Sequence, residues 1–266
     1  MASCGSAKNS QQSIPVQQLV YQKDSLQIDG NNNDWHQALL FRDDKLELAY
    51  SVSNDSRNLY VQALTKKEET IQRILRGGLT LYINRHGVKE EIGAAGISFP
   101  TGNPVKKEGR MLNDRPEIRQ NMHVALSAVA DYSLFGFTDI KTPENYDYGN
   151  PNPAGVALGI GLSPTNELVY EAKIPLASFL SNQELTSLSR RSLGVGWVLE
   201  TVPGEEKRRN GGSGISIGGG IGMGSFGSGG GIGLSIGSGS LGRIGGGKKE
   251  KPAKLWQEVV LAKSVK

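Results

Sequence analysis

Apolar and polar residues alternate along several short stretches of this chain, with the period of β-strands that bury one face. Residues 46–52 and 59–64 alternate in this way around an Asn-Asp-Ser turn, so they predict a hairpin. Residues 156–162 and 168–174 predict a second hairpin around a Ser-Pro-Thr-Asn turn. Residues 79–83 predict a further strand. Many short strands at close spacing favour an all-β sandwich over a sheet with helical crossovers.

Two more strands are predicted near the end of the chain, on either side of a segment that resembles no core element. Residues 193–202 have one apolar face, and residues 254–262 are apolar on both faces. More than half of the 36 glycines lie between them, in residues 211–247. Because glycine loses the most conformational entropy on ordering, we interpret this segment as a loop. We therefore predict that the two strands are neighbours in one sheet.

One or two short helices complete the pattern. Thr65 and Glu68 have the spacing of a capping box, the apolar positions after them share one face, and Gly77 is expected to end the helix. Residues 118–129 predict a second helix. The polar segment 100–116 contains Gly, Pro and Lys and predicts a long loop.

These elements divide the chain of 266 residues into four parts. Residues 1–15 are expected to be a tether, and residues 16–210 to form the sandwich. Residues 211–247 are expected to be a low-complexity loop inserted before the last strand, which lies in residues 248–266.

The charges and the reactive side chains exclude several classes of function. The net charge is only +4 and the basic residues are dispersed, whereas a nucleic-acid binder needs a concentrated basic face. The three histidines, His36, His86 and His123, lack the spacing of metal ligands, and no nucleophile elbow is present. We therefore name no catalytic residue, expect no cofactor, and expect the protein not to be an enzyme.

The single cysteine lies at a position that suggests lipidation. Met1-Ala2-Ser3-Cys4 is similar to the end of a bacterial lipobox, and a polar stretch follows it. The pattern predicts a lipid anchor on Cys4. The alternative is a cysteine without a role in an unstructured tail.

Several segments resemble known sandwich proteins. The sequence Ile-Asp-Gly-Asn-Asn-Asn-Asp-Trp at residues 28–35, with the strands that end at residues 58–61, resembles the opening of family 9 carbohydrate-binding modules and other DOMON-like sandwiches. Residues 78–84 and 96–100 look like later strands of lipoproteins of Bacteroidetes type, which carry a glycine-rich insert before a last strand like residues 255–262. The resemblance implies an Ig-like (DOMON-like) β-sandwich, carbohydrate binding and a place at the outer membrane.

In family 9 modules two tryptophans hold the sugar, and this chain has three tryptophans to consider. Trp35 is expected to close one end of the core, with a sugar platform as the alternative. Trp197 shares an apolar face with its strand neighbours and is expected in the core, whereas Trp256 could face either way. Tyr146 and Tyr148, in a segment rich in Pro, Asn and Gly, are candidates for stacking on a ligand; a solvated loop is the alternative.

The acidic and amide residues around Gly30 superficially resemble a calcium loop. They are Asp29, Asn31, Asn33 and Asp34. An EF-hand loop would need Gly and Glu where the chain has Asp34 and Leu40, so turns shaped by these side chains explain them as well as calcium does.

Three functions remain after this reading of the sequence. The first is a non-catalytic envelope lipoprotein that binds carbohydrate or another envelope ligand. The second is an assembly protein that acts through residues 211–247, where apolar residues punctuate the glycines and could contact a partner. The third is a glycoside or ester hydrolase, because paired carboxylates can come from distant strands. The sequence leaves the oligomeric state open.

Overall fold

The computed structural model describes residues 16–102, 121–187, 191–201 and 251–264. The strands in these residues are β1 (Gln17–Gln18), β2 (Val20–Tyr21), β3 (Phe41–Asp43), β4 (Leu48–Asn54), β5 (Asn58–Thr65), β6 (Leu79–Asn84), β7 (Ala95–Ser98), β8 (Asp131–Phe135), β9 (Glu144–Asp147), β10 (Ala157–Leu162), β11 (Leu168–Pro175), β12 (Ser192–Leu199) and β13 (Ala253–Val260). The helices are α1 (Glu68–Gly77), α2 (Met122–Ser127) and α3 (Asn182–Leu185), with 3₁₀ turns at Asn32–Asp34 and Leu176–Ser178.

The described strands form two sheets, and the protein is an all-β sandwich, as the sequence predicts. The seven-strand sheet has the order β1-β13-β12-β6-β7-β8-β9. The six-strand sheet has the order β10-β11-β5-β4-β2. Its sixth strand, β3, pairs with residues 48–50 of β4, whereas β2 pairs with residues 53–54. Both predicted hairpins are confirmed, since β4 pairs antiparallel with β5 and β10 with β11.

The two strands on either side of the glycine-rich segment are neighbours, as predicted. β12 and β13 pair antiparallel from Ser192–Val260 to Leu199–Ala253. The side chains of β12 that alternate toward the other sheet, Leu193 to Leu199, are each at most 1% exposed. Trp197 meets Tyr50 and Tyr170 edge-on there, with ring centroids 5.8 and 5.2 Å away, so its predicted place in the core is confirmed.

The first described residues close one side of the sandwich by moving from one sheet to the other. β1 pairs parallel with β13 and β2 pairs parallel with β4, and Leu19 between them is 4% exposed. A second link joins the same edges, because the Asn54 side chain accepts a hydrogen bond from Ala262 N–H and donates one to the Ala262 carbonyl. A strand that changes sheets in this way is a feature of Ig-like sandwiches.

The first helix differs from its predicted form at its beginning. Thr65 is the last residue of β5, where it pairs with Leu168, and its hydroxyl accepts a hydrogen bond from Lys67 N–H, which precedes the helix. The helix begins at Glu68 after Lys67, which makes no side-chain cap bond. It ends at Gly77, and Gly78 beyond it has a φ of +101°. The second helix covers only Met122–Ser127 of the predicted 118–129, and residues 118–120 are outside the described part of the chain.

Several predicted features fall on residues that the structure does not describe. They are the tether with Cys4, most of the loop 100–116 and the glycine-rich segment 211–247. Contacts divide the chain into one unit of residues 1–202 and 252–266 and another of residues 203–251, so the predicted four-part division stays a prediction. Among the helices of the described residues, none has the length and apolar character that a membrane span requires.

Candidate functional site

The acidic and amide side chains around Gly30 shape a turn. The Asp29 carboxylate accepts a hydrogen bond from Asn31 N–H at 2.9 Å, and the Asn31 side chain accepts one from Asn33 N–H at 3.2 Å. Asp34 accepts one from Gln27 N–H at 2.7 Å. The first two bonds are those of Asx turns, the alternative to calcium in the sequence analysis. Within the described ranges, no group of three or more His, Cys, Asp or Glu side chains could hold a metal ion.

Glu171 fixes this turn to the outer face of the six-strand sheet. Its buried carboxylate accepts hydrogen bonds from Gly30 N–H at 2.7 Å, Asp29 N–H at 3.0 Å and the Trp35 indole N–H at 2.5 Å. Burial raises the pKa of Glu171, and the three N–H donors oppose that rise. Because all three partners donate, the ionised carboxylate satisfies each of them.

Gly30 lets the turn approach the sheet closely. Its φ is +82°, and a Cβ there would lie 2.6 Å from the carbonyl carbon of Ile160. Trp35 packs beside the turn with Leu26 and Tyr60 and is 8% exposed. Trp35 is therefore packed, as the sequence analysis favours, but in a separate cluster on the outer face of the six-strand sheet and not at one end of the core.

Of the two tyrosines proposed as ligand contacts, Tyr146 lies in the edge strand β9 and Tyr148 in the turn that follows it. Tyr146 belongs to β9, where it stacks on Tyr132 at a centroid distance of 5.5 Å and donates a hydrogen bond to Glu144. That hydrogen bond is the main reason why the pKa of Tyr146 rises to about 12. Tyr148 packs against Phe99, with centroids 4.8 Å apart. Both rings are half-buried and pack against the core.

A different set of aromatic side chains lies on the outer face of the seven-strand sheet. In one row across five strands, Trp256 is opposite Gly196, Gly196 opposite Tyr82, Tyr82 opposite Gly96, and Gly96 opposite Phe135. The Tyr82 ring centroid lies 6.0 Å from that of Trp256 and 5.7 Å from that of Phe135. We call these three side chains the aromatic row.

The two glycines allow the outer rings of the aromatic row to lie over the sheet. A Cβ on Gly196 would lie 2.5–2.6 Å from three atoms of the Trp256 indole, which shows that the ring lies nearly flat on the backbone there. The tip of the Phe135 ring lies over Gly96, where a Cβ would collide with it. Tyr82 between them is 7% exposed, whereas Trp256 and Phe135 are half-buried. A ring with one face on the sheet turns its other face away from it.

Polar side chains follow the aromatic row on the same face. The next row of paired residues includes Thr80, Ser98, Ser133 and Asn145. The Thr80 and Ser98 hydroxyls share a hydrogen bond of 2.8 Å. Ser98 and Ser133 are half-buried and Asn145 is exposed, so this row offers donors and acceptors beside the rings.

Charged groups border the row near Trp256. The Lys254 ammonium and the Glu91 carboxylate form an ion pair at 2.5 Å. Burial, with smaller contributions from the charges of Glu91 and Glu200, raises the pKa of Tyr82 to about 12. Burial and then the charge of Glu91 raise the pKa of Glu200.

The sequence analysis did not identify the aromatic row. It left the direction of Trp256 open and did not consider Tyr82 and Phe135. The available signal was the pair of glycines inside apolar strands, since such a glycine often marks a place where another group approaches the backbone. The register between strands that are far apart in sequence is what brings the three rings together.

Comparisons with known proteins add little to this geometry. No family model and no curated protein matches the chain. Among solved structures, a family 9 carbohydrate-binding module from Caldicellulosiruptor kristjanssonii in complex with cellotriose is 10% identical, with a TM-score of 0.33, over 69% of this chain and 75% of that chain. A structure of such a module from the same organism with glucose is 10% identical, with a TM-score of 0.32, over 68% and 78%. Because this similarity is so low, the fold assignment rests on the strand pairing described above.

Proposed function

We propose that the protein is a non-catalytic carbohydrate-binding module and that the aromatic row is its sugar site. The observation that carries this proposal is the placement of the Trp256 and Phe135 rings over Gly196 and Gly96, on either side of Tyr82. A sugar ring has an apolar face of C–H groups, and a large rigid ring held flat on a sheet offers it contact area at little entropic cost.

The polar surroundings of the row suit the hydroxyl groups of a sugar. Ser98, Ser133 and Asn145 lie on one side, and Glu91 and Lys254 lie near Trp256. Specificity at a small-ligand site comes from a few placed polar groups beside an apolar surface, and this face has both.

Binding of the purified protein to a glycan array tests the proposal, together with Trp256→Ala and the matched control Tyr146→Ala. We expect saturable binding that weakens at least about tenfold in Trp256→Ala, as for loss of a central aromatic contact. Tyr146→Ala should bind like the parent. Melting curves show whether each variant is folded.

Two results would overturn this assignment. Silence of the folded parent across the array would remove carbohydrate binding, and unchanged binding by Trp256→Ala would remove the aromatic row. Loss of binding in Tyr146→Ala alone would move the site to β9.

A further inference from the structure

The loop of residues 85–93, between β6 and β7, lies on the outer face of the seven-strand sheet. Asn84 is two positions after Tyr82 in β6, so both side chains point to that face. The buried Asn84 side chain donates hydrogen bonds of 3.1 Å to the carbonyls of Glu90 and Ile92. These bonds hold the end of the loop over the strand positions that flank the aromatic row.

A close contact with β12 fixes the same loop at a second place. Gly194 is two positions before Gly196, on the same face of β12, and is paired with Asn84. A Cβ on Gly194 would collide with the Val88 carbonyl oxygen, so this glycine lets the loop backbone rest on the strand. The loop therefore stands along one side of the aromatic row, over β12 and β6.

Lys254 lies on the other side of the aromatic row. It is two positions before Trp256 in β13 and is paired with Val198, which in turn is paired with Thr80. These three residues belong to the row of outer-face side chains that continues with the polar residues described above. The aromatic row thus runs between this polar row and the loop of residues 85–93.

The ion pair of Glu91 and Lys254 consequently crosses the line of the aromatic row. Glu91 stands in the loop, and its carboxylate meets the Lys254 ammonium at 2.5 Å. After burial, the charge of Glu91 is the next cause of the raised pKa of Tyr82, so this carboxylate lies near the middle ring. A sugar stacked on Trp256 would therefore meet both members of the pair.

Both members of the pair can bind further groups. The Glu91 side chain is 23% exposed and the Lys254 side chain 52% exposed, so a molecule from solvent can reach them. A carboxylate accepts hydrogen bonds through two oxygens, and an ammonium has three N–H donors, whereas the contact between them uses one of each. The pair therefore presents an acceptor and a donor side by side.

The charges around the pair are balanced. Burial raises the pKa of Glu200, the charge of Glu91 adds to the rise, and the charges of Lys254 and Arg73 oppose it. Two carboxylates and two cations thus act on one another beside Trp256. An anionic substituent on a sugar would compete with Glu91 for the Lys254 ammonium, whereas an uncharged hydroxyl group would not.

We propose that the Glu91–Lys254 pair determines specificity at the aromatic row, by binding two neighbouring hydroxyl groups of an uncharged sugar that stacks on Trp256. This inference rests on the proposed carbohydrate function of the row. The carboxylate accepts a hydrogen bond from one hydroxyl, the ammonium donates one to the oxygen of the next, and both bonds are charge-assisted. Because the two charged groups are in contact, their partners must also be close together, as hydroxyls on adjacent ring carbons are.

Two variants and a matched control test this role on an array of uncharged glucan, mannan, xylan and galactan oligosaccharides and of oligouronic acids. Glu91→Ala and Lys254→Met should each lose about tenfold in affinity for the uncharged oligosaccharides, as expected for loss of a charge-assisted hydrogen bond. Arg42→Gln breaks an exposed ion pair with Asp44 on the other sheet and should bind like the parent. Melting curves show whether each variant is folded.

Deoxy analogues of the bound sugar test the pair without a change in the protein. Each analogue lacks one hydroxyl group, and we expect the loss of either of two adjacent hydroxyls to weaken binding of the parent about tenfold. In Glu91→Ala or Lys254→Met, removal of the hydroxyl that the missing group would bind should have little further effect, because the interaction is already lost.

The outcomes separate this inference from the proposed function. Unchanged binding by both folded variants, a preference for oligouronic acids, or analogues in which no two adjacent hydroxyls matter would each overturn the role of the pair. The aromatic row stands in those cases if Trp256→Ala still weakens binding. Silence of the folded parent across the array overturns both.

Discussion

At the scale of single residues, buried carboxylates and their donors hold the loops of this protein to its sheets. Glu171 receives hydrogen bonds from three N–H groups of one turn and has no exposed surface. Removal of one donor leaves a buried acceptor unpaired, and that costs about 1–3 kcal/mol. The conspicuous Asp-Gly…Trp sequence is therefore explained by the attachment of a turn.

Trp35 allows a graded test of this attachment. Trp35→Ala should lower the free energy of unfolding by about 3–5 kcal/mol, because it removes a large buried ring. Trp35→Phe keeps much of the ring but removes the indole N–H to Glu171, so a smaller loss is expected. Urea denaturation measures both, and an alanine variant as stable as the parent would contradict the packed role.

Asp55 makes the stability of the β4–β5 hairpin depend on pH. Burial acts to raise its pKa, but donors from Arg57, Asn58 and Tyr60 outweigh burial and hold the pKa below its usual value. A lowered folded-state pKa gives stability that is present above the unfolded-state value of about 3.9 and is lost as the pH falls through the folded-state value.

Asp55→Asn should therefore be less stable than the parent at pH 7. The difference in unfolding free energy should shrink as the pH falls below about 4, where Asp55 of the unfolded parent becomes protonated, and level off below the lower folded-state pKa. Urea denaturation of both proteins across this range measures it. A difference that is constant with pH would mean that the charge of Asp55 does not contribute.

At the scale of elements, pairing between strands decides which side chains act together. β12 and β13 meet through eight residue pairs although 53 residues lie between Leu199 and Ala253. The same pairing places Trp256 over Gly196 and begins the aromatic row. The hairpin partners β4–β5 and β10–β11 are neighbours in sequence, whereas the aromatic row needs four separate pairings.

Replacement of residues 211–247 by a short turn should leave the sandwich folded, because β12 and β13 pair without them. Loop-closure entropy grows only with the logarithm of length, so the gain in stability should be no more than about 1–2 kcal/mol. Thermal unfolding measures it, and truncation before Lys254 is the contrasting variant that should unfold. An insoluble deletion variant would show that this segment contributes to the core.

The same deletion also distinguishes the two non-catalytic functions. A variant that folds and still binds glycans keeps the working surface on the sandwich. A folded variant that binds glycans but no longer performs the protein's function in cells would favour the alternative, an assembly function of residues 211–247.

At the scale of the whole molecule, the first residues of the chain bear on where the protein is held. We propose that a lipid on Cys4 anchors the protein to the outer membrane, on the basis of the Met1–Cys4 sequence. Cys4 lies outside the described residues, so this proposal rests on sequence only.

With a signal peptide supplied, Cys4 should be acylated and the protein should fractionate with membranes. Cys4→Ala should release it into the soluble fraction, because the substitution removes the residue that carries the lipid. Labelling with a radioactive fatty acid and membrane fractionation measure the two effects. A Cys4→Ala protein that stays with membranes would contradict the anchor.

The sequence by itself determined strands β4, β5, β6, β10, β11, β12 and β13, the two hairpins and the apolar face of β12, whereas β8 and β9 were not predicted. These features are local: side chains alternate between faces within one strand, and short turns join neighbouring strands, so periodicity is enough to predict them. The pairing of β12 with β13 could also be predicted, because the glycine-rich segment between them was interpreted as a loop.

Only the tertiary structure decided the candidate site and the role of the turn at Gly30. Trp35 and Glu171 are 136 positions apart, and the aromatic row joins five strands whose register no single segment encodes. A shift of one residue in any of these pairings would turn a ring to the other face. That register is set by the packing of the whole core, so the surface of Trp256, Tyr82 and Phe135 exists only once both sheets are formed.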